Sequence, residues 1–199
     1  MKNIIYIGIF IVLITSCKQE IEESSVFKTG DSRGNQLFYN ILEPLMSINT
    51  IIMGEMDTVL YDTIFLDVNE DQIIDFTFII EQNFVLSVSK YPSQKITIKT
   101  GSDVLLQLMS GIQPTYSYVR TASKGEKVET GMPWIANQVF FLTHIRYNFV
   151  EVPRYEQPYL PFKFENGDIG WLRMGFETDS MSYLMQRFYI ESYCLKKSH

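Results

Sequence analysis

Cysteine is scarce in this chain of 199 residues: Cys17 and Cys194 are the only two. A framework of several disulfides, which staples many small secreted domains, is therefore excluded. Histidine is equally rare, with His144 and His199 alone. A cysteine nucleophile needs a neighbouring base, so Cys194 reads as a small buried hydrophobe instead. Catalytic signatures are nearly missing as well: there is no His-Glu-x-x-His, no phosphate loop and no Cys-x-x-Cys, and Gly30-Asp31-Ser32-Arg33-Gly34 alone has the letters of Gly-x-Ser-x-Gly. There is no run of Lys and Arg, and 17 basic against 23 acidic residues leave a net charge of −6. That balance argues against nucleic acid and anionic lipid as partners. The apolar run at 4–14 falls short of the ~20 residues a membrane-spanning helix needs. Internal repeats and low-complexity tracts are absent.

What is present begins in that run. Lys2, the apolar stretch, then Thr15 and Ser16 before Cys17 make a basic head, a short hydrophobic segment and a small residue ahead of a cut. This arrangement predicts a secretory signal peptide over 1–16. Ile14-Thr15-Ser16-Cys17 resembles the lipobox of bacterial lipoproteins, which implies cleavage before Cys17 and lipid on its thiol. Several acyl chains on one residue hold a protein firmly, whereas one alone is marginal. A plain transmembrane anchor, or a cut elsewhere that leaves Cys17 an ordinary thiol, are the rival readings. With Cys17 lipidated, Cys194 has no partner for a disulfide. In the lipoproteins of enteric bacteria an Asp after the cysteine retains the protein at the inner membrane; Lys18 stands there instead. The resemblance thus implies an outer-membrane lipoprotein, periplasmic or surface-facing. Glu20, Glu22 and Glu23 loosely resemble the acidic stretch that directs some such proteins to the cell surface.

Residues 17–34 are charged, with Ser and Gly and little to bury, and read as a lipidated cysteine on a flexible tether. Residues 35–199 read as one domain. Hydrophobic residues make up 46% of the chain and aromatics 14%, enough for a packed core. From residue 58 onward the text is one of strands, rich in β-branched and aromatic residues, at 58–66, 76–80, 84–88, 95–99, 115–121, 139–145, 169–176 and 183–195. Turn residues separate them at 91–93, 123–126 and 165–168. Asn166-Gly167, with Lys163-Phe164 before it and Ile169-Gly170-Trp171 after, predicts a hairpin on a tight primed turn. One short helix is expected at 102–110, capped by Ser102 and ended by Gly111. Residues 35–50 are ambiguous: Leu37, Phe38, Ile41, Leu42 and Leu45 fit one helical face with Asn35 as its cap, but Pro44 interrupts it. The fold class that follows is mainly β: a single antiparallel β-sandwich, jelly-roll-like, with one or two short helices.

The one constellation that could hold a ligand is Asp67-Val68-Asn69-Glu70-Asp71-Gln72-Ile73-Ile74-Asp75. Asp67, Asn69, Asp71 and Asp75 fall at positions 1, 3, 5 and 9, and Ile73 at position 7 can offer its backbone carbonyl. Alternate oxygens turned inward by a tight loop suit calcium, which takes about 6–8 of them. Two departures weigh against it. Gln72 holds the place where a glycine eases a positive φ, and Phe78 replaces a bidentate Glu. The plainer alternative is a solvated acidic turn whose Asp and Asn side chains cap the backbone.

Strand, Asp-x-Asn-x-Asp-x-x-x-Asp-Phe, strand is followed later by Phe162-Lys163-Phe164, Asn166-Gly167 and Gly170-Trp171-Leu172-Arg173. In this order the motifs resemble a group of uncharacterised secreted and lipid-anchored bacterial β-proteins. The likeness covers about 58–80 and 159–194 and implies a β-sandwich in an extracytoplasmic setting, with no particular activity.

Gly30-Asp31-Ser32 has the letters of a lipase nucleophile motif, but no strand is expected before it, and Lys196 stands where the partner Asp-x-x-His would need an Asp. The expectation is therefore a protein without catalytic activity: a structural or protein-interaction lipoprotein. The alternative is a carbohydrate-binding accessory lipoprotein of a glycan-uptake system, with Trp134, Trp171 and the aromatic segment 153–162 as stacking surfaces.

Overall fold

The computed structural model describes residues 26–34, 36–49, 59–83, 93–109, 118–129, 131–136, 139–146, 149–152, 159–178 and 185–198. Residues 1–25, with the signal peptide and Cys17, lie outside this set, as does the strand expected at 84–88. Eleven strands account for most of it: β1 Leu37–Asn49, β2 Val59–Leu66, β3 Phe76–Asn83, β4 Ser93–Thr100, β5 Val104–Gln107, β6 Trp134–Ile135, β7 Phe140–Arg146, β8 Phe149–Val152, β9 Tyr159–Phe164, β10 Ile169–Thr178 and β11 Met185–Lys196. They form two antiparallel sheets, one ordered β1-β11-β10-β9-β5-β6 and the other β2-β3-β4-β7-β8.

Alternation explains why these segments are strands. Along β3, Phe76, Phe78, Ile80 and Gln82 are buried while Thr77, Ile79, Glu81 and Asn83 are half-buried on the other face. Period-two patterning of this kind puts one face of a strand against a core. Inward rows of both sheets meet in one hydrophobic cluster that includes Phe76, Phe78, Ile96 and Ile98 from one sheet and Leu106, Phe162, Leu172 and Phe188 from the other. Rings cross the gap: Phe76 meets Phe162 edge-on at 5.2 Å, and Phe78 meets Phe188 at 5.5 Å. Each such side chain contributes about 1.5–3 kcal/mol on leaving water. The Gln94 side chain on β4 bridges the same gap, donating to the Met185 carbonyl (2.9 Å) and accepting from the Met185 N–H (2.6 Å).

A second, smaller cluster occupies the opposite face of the six-stranded sheet. Trp171 and Cys194 point outward there, with Tyr159, and are covered by Phe27, Ala122 and Val128. The side chosen by Trp171 follows from its neighbour. At Gly170 a Cβ atom would stand 2.2 Å from the Phe162 ring and 2.5 Å from the Cys194 carbonyl, so only glycine lets Phe162 lie across β10. Trp171 then faces away from the shared core. Its ring meets Tyr159 edge-on at 5.2 Å. Among the described residues Cys194 has no disulfide partner, and it is fully buried; desolvation, with Asp31 adding to it, pushes its thiol up to about 12. Phe27 and Thr29 belong to the stretch read as a tether, yet both are buried, seated against 122–128.

Three local expectations change. Residues 102–110 do not form a helix. Val104 and Leu106 both need burial, and β9 offers partners at Phe164 and Phe162, so 104–107 form β5; Ser110 lies outside the described residues. Among the described residues no helix is present at all. The apolar residues at 37–45 belong to edge strand β1. Its pairing with β11 breaks between Ile41 and Met46, around Pro44, which lacks an N–H for the ladder. Finally, the hairpin at 165–168 forms, but not on a primed turn. The Gly167 N–H donates to the Phe164 carbonyl (3.0 Å) and the Phe164 N–H to the Asp168 carbonyl (2.7 Å). Only Gly167 has a positive φ, 100°, whereas a type I′ turn needs two such residues. This is the three-residue loop ending in a left-handed glycine.

Candidate functional site

The acidic loop joins β2 to β3. Its ends are pinned first. The Asp75 N–H donates to the Leu66 carbonyl (3.0 Å), and the Asp75 carbonyl accepts from Gly101 (2.8 Å). Val68 is fully buried in the shared core, which anchors the start of the loop. Between these anchors the side chains do the folding. Asp67 accepts from the N–H groups of Glu70 (2.7 Å) and Gln72 (2.8 Å), one on each carboxylate oxygen. Asn69 accepts from Asp71 N–H (3.0 Å) and donates to the Asp71 carboxylate (3.1 Å). Asp71 accepts from Ile73 N–H (2.8 Å). Asp75 reaches back to take the N–H groups of Val68 (2.7 Å) and Asn69 (3.3 Å).

Gln72 has φ 71°, the left-handed backbone its position calls for. Glu70, with φ 63°, shares that strain; sequence reasoning missed it, because nothing marks a Glu as left-handed. Both conformations cost about 1 kcal/mol or more for a residue with a Cβ, and the ring of side-chain caps offsets that cost.

Electrostatically the loop is uncompensated. Asp67, Asp71 and Asp75 carry three carboxylates, and among the described residues no Lys or Arg pairs with any of them. Asp75 is 2% exposed. Burial raises its carboxyl to about 6; the Val68 and Asn69 N–H groups oppose this, and the charges of Asp67 and Asp71 add to it. The same field reaches the other sheet. Burial pushes the Tyr193 phenol up, the Asn40 amide bonded to its oxygen at 3.0 Å offsets this, and Glu70, Asp67 and Asp75 reinforce it.

Asp67, Asn69, Asp71 and Asp75 are thus brought into one loop, with the Ile73 side chain 66% exposed and directed away from the core. Their oxygens clasp backbone N–H groups rather than a common point. Among the described residues, no three Asp, Glu, His or Cys side chains stand where they could share a metal ion. Each carboxylate nonetheless keeps acceptor capacity, since two oxygens offer about four lone-pair positions and the N–H bonds use only one or two.

Of the stacking surfaces, Trp171 is only 2% exposed and Trp134 packs half-buried on the second cluster; residues 153–158 lie outside the described set. No family, no curated protein and no solved structure with which the chain was compared matches it.

Proposed function

We propose that this chain is a lipid-anchored envelope protein, held in the outer membrane through Cys17 and facing the periplasm or the cell exterior. Its folded part is a jelly-roll-like β-sandwich, a non-catalytic structural or protein-interaction domain whose Asp67–Asp75 loop is braced by calcium. The sandwich reading draws support from two antiparallel sheets with one shared core. The chain also passes between the sheets repeatedly, after β1, β4, β6 and β8. One observation carries the calcium reading: three carboxylates sit in one hydrogen-bonded loop, one of them buried, and among the described residues no Lys or Arg pairs with them. Calcium would take oxygens from Asp67, Asn69, Asp71 and Asp75, with the Ile73 carbonyl and water completing the sphere.

Two measurements test this. Affinity should be weak, about 10⁻⁴ to 10⁻³ M, because a bidentate Glu is missing. At a hundredfold excess, calcium should stabilise the fold by ~2.7 kcal/mol. For a domain of this size that raises the melting temperature by about 5–10 °C relative to EDTA, an effect Asp71→Ala should abolish. Identical melting in the two buffers would remove calcium and leave a plain acidic turn. The anchor is tested separately: Cys17→Ala should yield unprocessed protein that takes up no radiolabelled palmitate, and unchanged labelling would exclude lipidation there.

A further inference from the structure

Folding assembles a basic surface that the linear sequence does not contain. Residues 27–29 pair with 126–128: the Thr29 N–H donates to the Glu126 carbonyl (2.8 Å) and the Val128 N–H to the Phe27 carbonyl (3.1 Å). Phe27, Thr29 and Val128 point into the domain, so Lys28 and Lys127, directly opposite each other, point out of it. Lys124 joins them, its side chain crossing Gly30, where a Cβ would stand 3.0 Å from Lys124 Cγ. Like charges placed opposite each other across two strands are unfavourable. Among the described residues, none of the three ammonium groups has an ion-pair partner.

The neighbouring acids are already engaged. Asp31 accepts from the Lys28 backbone N–H at 2.8 Å. Glu126 is turned inward to Arg120 at 2.8 Å and to the Ser123 N–H at 2.9 Å, and Glu129 lies 3.4 Å from Lys163. This side of the molecule therefore carries Lys28, Lys124, Lys127, Arg120 and Lys163 against Asp31, Glu126 and Glu129, in a chain of net charge −6.

The described residues begin at this ribbon. Val26 stands nine residues after Cys17, a span of at most ~32 Å when fully extended. We propose that Lys28, Lys124 and Lys127 form a docking face for the anionic phosphate headgroups, those with net negative charge, of the membrane in which the chain is anchored. This rests on lipidation of Cys17. The anchor then supplies the affinity, and the lysines set which side of the domain meets the bilayer. Each lysine near an anionic surface adds attraction that fades within a Debye length, ~8 Å at physiological salt.

The test uses the mature protein, extracted from membranes with its lipid and reconstituted into vesicles. One set is rich in phosphatidylglycerol and the other is phosphatidylcholine alone. A membrane-impermeant amine-acetylating reagent, read by peptide mass spectrometry, should modify Lys28, Lys124 and Lys127 at least about 3-fold more slowly on the anionic vesicles. Lys99, exposed on β4 in the other sheet, should react equally on both. Salt at about 0.5 M should erase the difference. Flotation with the vesicles in that salt reads the anchor alone. Flotation with equal reactivity of the three lysines on both lipids would overturn the docking face and leave the anchor standing. Failure to float would overturn both.

Discussion

Asp75→Asn is expected to make the protein more stable at neutral pH and to flatten its stability between about pH 4 and pH 6. The Asp75 carboxyl titrates near 6 in the fold, against an ordinary value of 3.8. Between those values the folded chain holds a proton that the unfolded chain has released. Stability therefore falls as pH rises through this window and stays lower above it. The span corresponds to about 3 kcal/mol, and the asparagine variant should recover up to that much at pH 7. Some of the gain is offset, because the new amide N–H₂ needs an acceptor at a site almost closed to water. Below about pH 4 the two proteins should converge. Calcium should reverse the ranking, since a cation beside Asp75 favours its charged form and lowers its pKa. Urea titrations of both proteins at a series of pH values, with EDTA and with calcium, read all of this. Parallel pH profiles for the two would sink the assignment of the raised carboxyl to Asp75.

How much of this could be read from the residues depends on range. The strands expected at 58–66 and 76–80 form as Val59–Leu66 and Phe76–Asn83; they were legible because both runs are rich in β-branched and aromatic residues, and Asn83 at the end of the second gave no such signal. The Asx-capped loop was legible too, since its hydrogen bonds join residues at most seven apart. Residues 102–110 misled because Val104, Leu105, Leu106 and Leu108 satisfy a helical face locally. What decided for a strand was pairing with β9, some sixty residues away, and such tertiary context overrides propensity. The lysine face had no signal at all. Lys28 and Lys127 are 99 residues apart, and their union depends on Phe27 finding a place beside Trp171. That a lone aromatic in a polar stretch is a docking residue rather than part of a tether is a property of the surface it meets.

Trp171→Ala should be the most damaging of the substitutions considered, at about 3–5 kcal/mol. Domains of this kind are stable by only about 5–15 kcal/mol in all. The ring is 2% exposed and lies between Tyr159 and Tyr39, at 5.2 and 5.9 Å. Removing it opens a cavity under Phe27, so the loss extends beyond the transferred surface. Trp171→Phe should behave differently. The indole N–H is buried and has no hydrogen-bond partner among the described residues, a burden of about 1–3 kcal/mol for a buried donor. Phenylalanine gives up ring volume but sheds that donor, so the net change should stay within about 1 kcal/mol. Because Trp171 and Phe27 share one cluster, the alanine variant should also loosen the 27–29 pairing ahead of global unfolding. Amide exchange at Thr29, whose N–H is bonded to Glu126, would then accelerate more than exchange in β3. Equal losses for Ala and Phe would show that the N–H does have a partner. A change within about 0.5 kcal/mol for Ala would place the ring at the surface, where a stacking role for Trp171 on a sugar would return.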